Sequence, residues 1–205
     1  MSEKNIIVIA RFASILLTPF YLPVIGVGLL FSFSYLNNFP IQAQVILTVT
    51  VYLFTVLFPS LLIRAYRKHH GWTLIQLGRK ERRIVPYIIS IICYACCYTL
   101  MVRLHLPHLI TSILVASLVI QILCAIINMG WKISTHTAGT GGVVGALIAF
   151  SFMLNFNPFW WLCLSILVSG IVGSSRIILR QHSLTQVTAG FFLGIMTAFV
   201  TIVLV

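Results

Sequence analysis

The sequence has almost no acidic residues. Only Glu3 and Glu81 among its 205 residues carry a carboxylate, and aspartate is absent. Paired catalytic carboxylates, acidic magnesium sites for diphosphates and Ser-His-Asp triads all need acids that this chain lacks. We therefore expect any catalysis to use histidine, arginine, lysine and hydroxyl groups, with no metal ion and no cofactor.

Charged residues of both signs are scarce, which excludes an ordinary soluble domain. Charged residues make up 7% of the chain and apolar residues 60%, whereas soluble domains average about 25% and about 45–50%. Such a composition fits the lipid bilayer. The net charge of +11 comes from cations between long uncharged stretches, so anionic lipid headgroups, and not nucleic acid, are the expected partners.

Long uncharged segments predict an all-α bundle of about seven transmembrane helices. No charged residue lies between Arg11 and Arg64, and the polar break at residues 37–40 divides this stretch into two spans. Five further apolar segments follow residue 83. About 20 apolar residues in a helix cross a hydrocarbon core of about 30 Å, so each segment suffices. Pro19 and Pro23 are expected to kink the first span or fold it back.

Glycines and cysteines within these spans favour packing roles. The segment from Gly139 to Gly145 opens an apolar helix and follows no strand, so it indicates close helix packing rather than a dinucleotide loop. Gly190 and Gly194 in the last span are interpreted in the same way. The cysteines lie in apolar runs, and we expect them to pack rather than to bind metal, although redox chemistry at Cys93 and Cys96 stays an alternative.

The cations are distributed unevenly over the two membrane faces. Because successive spans cross the membrane in alternating directions, each connection can be assigned to one membrane face. This assignment places only Arg103 on one side. The other side carries twelve cations: Lys4, Arg11, Arg64, Arg67, Lys68, Arg79, Lys80, Arg82, Arg83, Lys132, Arg176 and Arg180. The positive-inside rule makes that face cytoplasmic. We expect a multi-pass protein of a bacterial inner membrane whose functional residues face the cytoplasm.

Polar groups that suit phosphate chemistry cluster on this basic side, in residues 64–83, 132–136 and 175–186. Arginine offers a planar fork to two phosphate oxygens, and lysine and serine add further donors. Of the two histidines in these segments, His136 and His182, one imidazole can attack phosphorus while the other protonates the departing oxygen. This scheme needs neither a metal nor a carboxylate.

These residues resemble the motifs of a known family. The chain contains Ser175-Arg176, then five residues, His182, three residues and Gln186. This pattern resembles the third motif of the type-2 phosphatidic acid phosphatase superfamily, which reads Ser-Arg-x5-His-x3-Asp. Residues 133–136 stand one helical hairpin earlier, where that family has Pro-Ser-Gly-His. The resemblance covers about residues 109–205. It implies a six-helix phosphatase-like core with one extra N-terminal helix, and a catalytic half, 109–205, within a single transmembrane domain, 1–205.

Carried over position by position, the resemblance implies a role for each motif residue. His182 is the nucleophile that forms a phosphohistidine, and His136 is the general acid for the leaving group. Arg176, Ser134 and Lys132 hold the phosphate oxygens. The family also implies a metal-independent hydrolase that acts on a lipid phosphate.

The third motif departs from the family at Gln186, which replaces aspartate. Four residues after His182 on a helix, the amide oxygen still reaches the imidazole and accepts from Nδ1–H, which leaves Nε2 free to attack. An amide stabilises the imidazolium less than a carboxylate does. We therefore expect a slower or a degenerate enzyme.

The family's first motif, Lys-x6-Arg-Pro, is not intact in this chain. Lys132 lies where the family has its lysine, but Ser134 follows too soon for the Arg-Pro pair. We expect the missing cation in the preceding basic loop, whose candidates are Arg79, Lys80, Arg82 and Arg83. The alternative that this cluster only binds anionic lipid stays open.

Two function hypotheses follow. The first is a phosphatase for a lipid-borne phosphate or diphosphate, with phosphatidate, phosphatidylglycerophosphate and polyprenyl diphosphates as candidate substrates. The second is a weak or inactive relative that binds anionic lipid or supports a membrane partner. A haloperoxidase could use the same anion site, but this activity is disfavoured because the whole chain is expected to lie in the membrane. The oligomeric state stays open.

Overall fold

The fold is known from a computed structural model that describes residues 3–71 and 84–205. Within these ranges the regular elements are helices, with no strand, and seven helical segments are long and apolar enough to cross a bilayer. This confirms the predicted all-α bundle of seven membrane helices. The protein is thus a multi-pass membrane protein.

Each of the first two spans is interrupted. The first consists of helices α1 (Glu3–Leu16) and α2 (Leu22–Phe33), with a 3-10 turn, Pro19–Tyr21, between them. The kink therefore lies at Pro19, as the sequence predicted. A proline without an N–H breaks the helical hydrogen-bond ladder and begins a new helical segment readily.

The second span contains a wide turn. Helices α3 (Ile41–Tyr52) and α4 (Phe58–His69) are joined by a π-helical turn, Leu53–Leu57. Pro59 lies directly after this turn, in the first turn of α4. A π-turn accommodates a missing backbone donor without ending the span.

The remaining five spans are single helices. They are α5 (Ile84–Arg103), α6 (His108–Gly130), α7 (Thr135–Leu154), α8 (Phe159–Ile178) and α9 (Leu184–Leu204). Pro107 and Pro158 precede α6 and α8, while serine side chains cap α7 and α9. The short connections force successive helices to be antiparallel, so α7 and α9 run in the same direction.

Helices α7 and α9 make the most extensive contact between two elements of the described structure. A Cβ added to Gly141 would overlap the carbonyl of Phe191, and one added to Gly194 would overlap the carbonyl of Ala138. Glycine alone permits this approach of two backbones. The predicted close packing is therefore confirmed, and it holds the first turns of α7 and α9 side by side.

Polar bridges join α5 to α6. The Asn128 amide donates to the Tyr87 hydroxyl at 2.9 Å, and the polar side chains of Gln121 and Tyr94 form a second pair. Tyr94 lies seven residues after Tyr87 on α5, and Gln121 lies seven residues before Asn128 on α6. Both pairs therefore lie on the same face of each helix. They place the start of α5 beside the end of α6.

Candidate functional site

Both predicted histidines and Arg176 lie at one end of the bundle. His136 is in the first turn of α7, Arg176 is in the last turn of α8, and His182 directly precedes Ser183, the N-cap of α9. All three side chains line one cavity of about 400 Å³. The structure thus brings together the residues that the motifs predicted.

The His182 ring is held by Gln186. Gln186 Oε1 lies 3.2 Å from His182 Nδ1 and accepts the backbone N–H of Ser183 at 3.2 Å. A backbone N–H can only donate, so the amide atom between the two groups is the oxygen. The contact therefore requires a proton on Nδ1, and Nε2 keeps its lone pair. This is the contact that the i, i+4 spacing predicted.

Gln186 also closes the first turn of α9. Ser183 Oγ accepts the Gln186 backbone N–H at 3.4 Å, and the Gln186 side chain accepts the Ser183 backbone N–H, which together form a capping box. A capping box stabilises the start of a helix by satisfying two backbone donors. The nucleophile candidate thus stands beside a rigid helix end.

Two helix N-termini point at the site. The first turns of α7 and α9 lie side by side at the end where His136 and His182 are found. A helix N-terminus carries a partial positive charge and favours anions. With the Arg176 guanidinium, the two helix ends form an electropositive cavity that suits a phosphate group.

Ser14 on α1 is a site residue that sequence reasoning missed. Arg176 Nη1 donates to Ser14 Oγ at 2.8 Å, and the Ser14 backbone lies beside the His136 ring. Ser14 is buried. A lone serine in an apolar span carries no sequence signal, because such a hydroxyl usually bonds its own helix backbone.

A second cavity of about 430 Å³ adjoins the first. His136 and Arg176 line both cavities, and Arg11 and Thr18 from the N-terminal span and Gln181 line the second. Arg11 appeared in the sequence only as one of the basic-side charges. The structure places it with the site residues, where it adds a cation.

Comparison with known families identifies this part of the chain. Residues 128–205 match the model of the PAP2 superfamily. This stretch is similar to the PAP2 superfamily. It runs from the end of α6 to the C-terminus and contains both histidines, Arg176 and Gln186, so the resemblance seen in the motifs is confirmed. Comparisons with curated proteins and with solved structures found no match.

Ser134 and Lys132 were predicted to bind phosphate, and in the structure both form hydrogen bonds within the protein. Ser134 is fully buried, and its Oγ accepts the Thr137 backbone N–H at 3.4 Å as the N-cap of α7. Lys132 Nζ donates to the Gln181 carbonyl. Neither residue lines the two cavities of the described chain, and their contact with phosphate stays a prediction.

The four candidates for the missing first-motif cation, Arg79, Lys80, Arg82 and Arg83, lie outside the described residues. The first turn of α5, which follows them, contributes Pro86 and Tyr87 to the first cavity. Across residues 3–71 and 84–205, no three His, Cys, Asp or Glu side chains are grouped as a metal site would require.

Proposed function

We propose that this protein is a metal-independent phosphatase that hydrolyses a lipid-borne phosphate or diphosphate. The PAP2 superfamily match supports a phosphatase-type hydrolase for a phosphate ester, and the apolar helices support action inside a membrane. The proposal is carried by His182, whose Nδ1 is 3.2 Å from Gln186 Oε1 and whose ring shares a cavity with Arg176 and His136.

In the first step, the lone pair on His182 Nε2 attacks phosphorus. The bond from phosphorus to the lipid oxygen breaks, and His136 donates a proton to that oxygen. The products are the lipid alcohol, or the lipid monophosphate from a diphosphate, and a phosphate bonded to His182. Arg176 and the two helix N-termini stabilise the negative charge on the phosphoryl oxygens.

In the second step, water attacks the phosphohistidine. His136, now neutral, accepts a proton from that water, the P–N bond breaks, and inorganic phosphate leaves. In the described structure, His136 Nδ1 is buried and makes no hydrogen bond, while the Ser14 backbone lies beside the ring. Ser14 thus orients the imidazole, and Nδ1 is left for the proton transfer.

Phosphate release in the presence of EDTA tests the proposal. We expect the purified protein in detergent to release phosphate from phosphatidate, phosphatidylglycerophosphate or a polyprenyl diphosphate, at a rate that EDTA does not change. Loss of release in EDTA would refute the histidine-only mechanism. No release from any substrate would favour the inactive lipid-binding relative.

Substitution of Gln186 tests how His182 is oriented. Gln186→Leu leaves Nδ1–H without its acceptor, at a cost of about 1–3 kcal/mol, so we expect kcat to fall by roughly 10- to 100-fold. Gln186→Asp keeps an acceptor and should retain or raise kcat. Ser183→Ala is the control, because it breaks the capping box but keeps the contact with His182. Wild-type kcat in Gln186→Leu would disprove the orienting role.

We also propose that the site faces the cytoplasm of a bacterial inner membrane, because twelve of the thirteen cations share its side. Lys68 precedes the basic loop, and Asn157 lies between α7 and α8, at the opposite end from the site; both are exposed. In a cysteine-free background, an impermeant thiol reagent on intact cells should modify Asn157→Cys and spare Lys68→Cys. Permeabilised cells should show both modified. The reverse pattern on intact cells would place the site outside.

A further inference from the structure

The first cavity, which both histidines line, extends far beyond the candidate catalytic residues. It begins at His136, Arg176 and His182, follows α7 to Leu154 and reaches Phe156 in the next loop. Between His136 and Leu154, helix α7 rises about 27 Å, whereas the whole hydrocarbon core measures about 30 Å. A passage inside the protein therefore runs from the phosphate site to near the opposite membrane face.

The walls of this passage are apolar and come from five helices. Side chains of α2, α5, α6, α7 and α9 line it, among them Leu30, Ile120, Phe150 and Ile202. Helices α2 and α5 and most of α6 lie outside the PAP2-matched residues. About half of the residues that line the passage therefore lie in the part of the chain that the family match does not cover.

The polar side chains in the walls bond to the protein itself. Tyr94 and Gln121 pair with each other across α5 and α6, and Ser117 Oγ donates to the Ile113 carbonyl at 2.8 Å. Satisfied polar groups of this kind do not require a polar ligand. Beyond its catalytic end the passage offers dispersion contacts, which suit a hydrocarbon.

The wall is closed beside the catalytic end. A Cβ added to Gly139 would lie 2.7 Å from Leu22 Cδ1 and 3.1 Å from Pro19 Cβ. The 3-10 turn and the start of α2 are thus pressed against α7, one turn beyond His136.

We propose that this passage, which we name the tail channel, binds the apolar chain of the substrate and selects a lipid phosphate with one long chain, of the polyprenyl class, over diacylglycerol phosphates. The inference rests on the phosphatase function proposed above. A chain that reaches only the bilayer midplane, about 15 Å deep, would fill half of the tail channel. A polyprenyl chain continues to its far end.

The selectivity comes from packing along the channel. The substrate's chain leaves lipid that is as apolar as the channel wall, so the hydrophobic effect contributes little. Each additional segment that fills the channel gains dispersion contacts with wall atoms that otherwise face a void. We therefore expect kcat/KM to rise with chain length until the channel is full.

A block placed halfway along the channel tests the proposal. Ala146 lines the tail channel about 15 Å from His136 along α7. Ala146→Phe should lower kcat/KM for a long polyprenyl phosphate by about tenfold, or ~1.4 kcal/mol. The loss should be smaller for geranyl phosphate, whose chain ends before residue 146. Ile148→Phe, at an exposed position of the same helix that lies outside the lining, is the matched control and should change neither value.

The two proposals fail in different ways. A wild-type protein that hydrolyses geranyl phosphate, a long polyprenyl phosphate and dioleoyl phosphatidate equally well would overturn the tail channel and leave the phosphatase standing. An equal loss on all three substrates in Ala146→Phe would do the same. Release of phosphate from none of them would instead remove the proposed function.

A photolabel gives a readout that does not depend on turnover. A polyprenyl phosphate with a diazirine at the end of its chain should label the far end of the channel, near Phe156 and Ile202. The same labelling is expected in His182→Ala. Label on the lipid-facing side chains Phe152 and Trp160, which are strongly exposed, would contradict the tail channel.

Discussion

His182→Ala is expected to abolish phosphate release, with a fall in kcat of roughly 10³- to 10⁶-fold, the range seen when a catalytic nucleophile is removed. The other imidazole at the site, His136, lies in the first turn of α7, and its ring is engaged by the Ser14 backbone. Gln186 Oε1 lies 3.2 Å from Nδ1 of His182, which leaves Nε2 of His182 with the free lone pair that attack on phosphorus requires. The measurement is phosphate release by purified variants at matched concentrations.

A second histidine provides the control. His108 lies at the start of α6, at the opposite end of the bundle, and is exposed. His108→Ala should therefore keep wild-type turnover, and both variants should elute as the same homogeneous species in detergent. Wild-type release from His182→Ala would show that the nucleophile lies elsewhere.

Trapping the intermediate extends this test. Wild-type protein quenched during turnover of a labelled substrate should carry phosphate that withstands alkali and is lost in acid, as a phosphoramidate bond requires. His182→Ala should carry none. A phosphoprotein stable to acid would indicate a serine or threonine ester and contradict the assignment.

Gly194→Leu is expected to prevent folding. A Cβ at residue 194 would overlap the Ala138 carbonyl, which is backbone and cannot rotate away, so α7 and α9 must separate. Overpacking costs about 1–3 kcal/mol where side chains adjust, and we expect a larger loss here. The measurements are the yield of monodisperse protein and the Tm in detergent.

Two further variants keep this prediction testable if the leucine variant cannot be purified. Gly194→Ala introduces only the clashing Cβ and should lower Tm while leaving some folded protein. A Cβ added to Gly170 on α8 would meet no atom within 4 Å, so Gly170→Ala and Gly170→Leu should leave Tm unchanged. Equal Tm values for Gly194→Ala and Gly170→Ala would refute the packing role of the glycine.

Local spacing and hydropathy predicted the bundle and most of the candidate site. The apolar segments gave the seven spans, and helical periodicity placed Gln186 beside His182. The convergence of His136, Arg176 and His182 followed from antiparallel helices with short connections. Each of these results depends on residues near one another in the chain or on the alternation of spans.

Local spacing and hydropathy could not predict the contacts of Ser14 and Arg11. They depend on how α1 packs on α8, and no local pattern specifies the partner of an apolar helix. Ser134 shows a related difficulty. A serine before a helix can cap it or bind an anion, because both roles use a hydroxyl at a helix N-terminus. The structure shows the cap, which spacing alone does not distinguish from a ligand.

The hydrogen bond from Arg176 to Ser14 joins residues 162 positions apart, and this separation has a consequence for biosynthesis. Helix α1 is made and inserted long before α8 leaves the ribosome. The contact between α1 and α8 can therefore form only near the end of translation. Contacts between distant parts of a chain form slowly because a long loop has to close first. Assembly of the candidate site is therefore expected among the last folding events, and nascent chains that lack α8 cannot contain the Arg176–Ser14 contact.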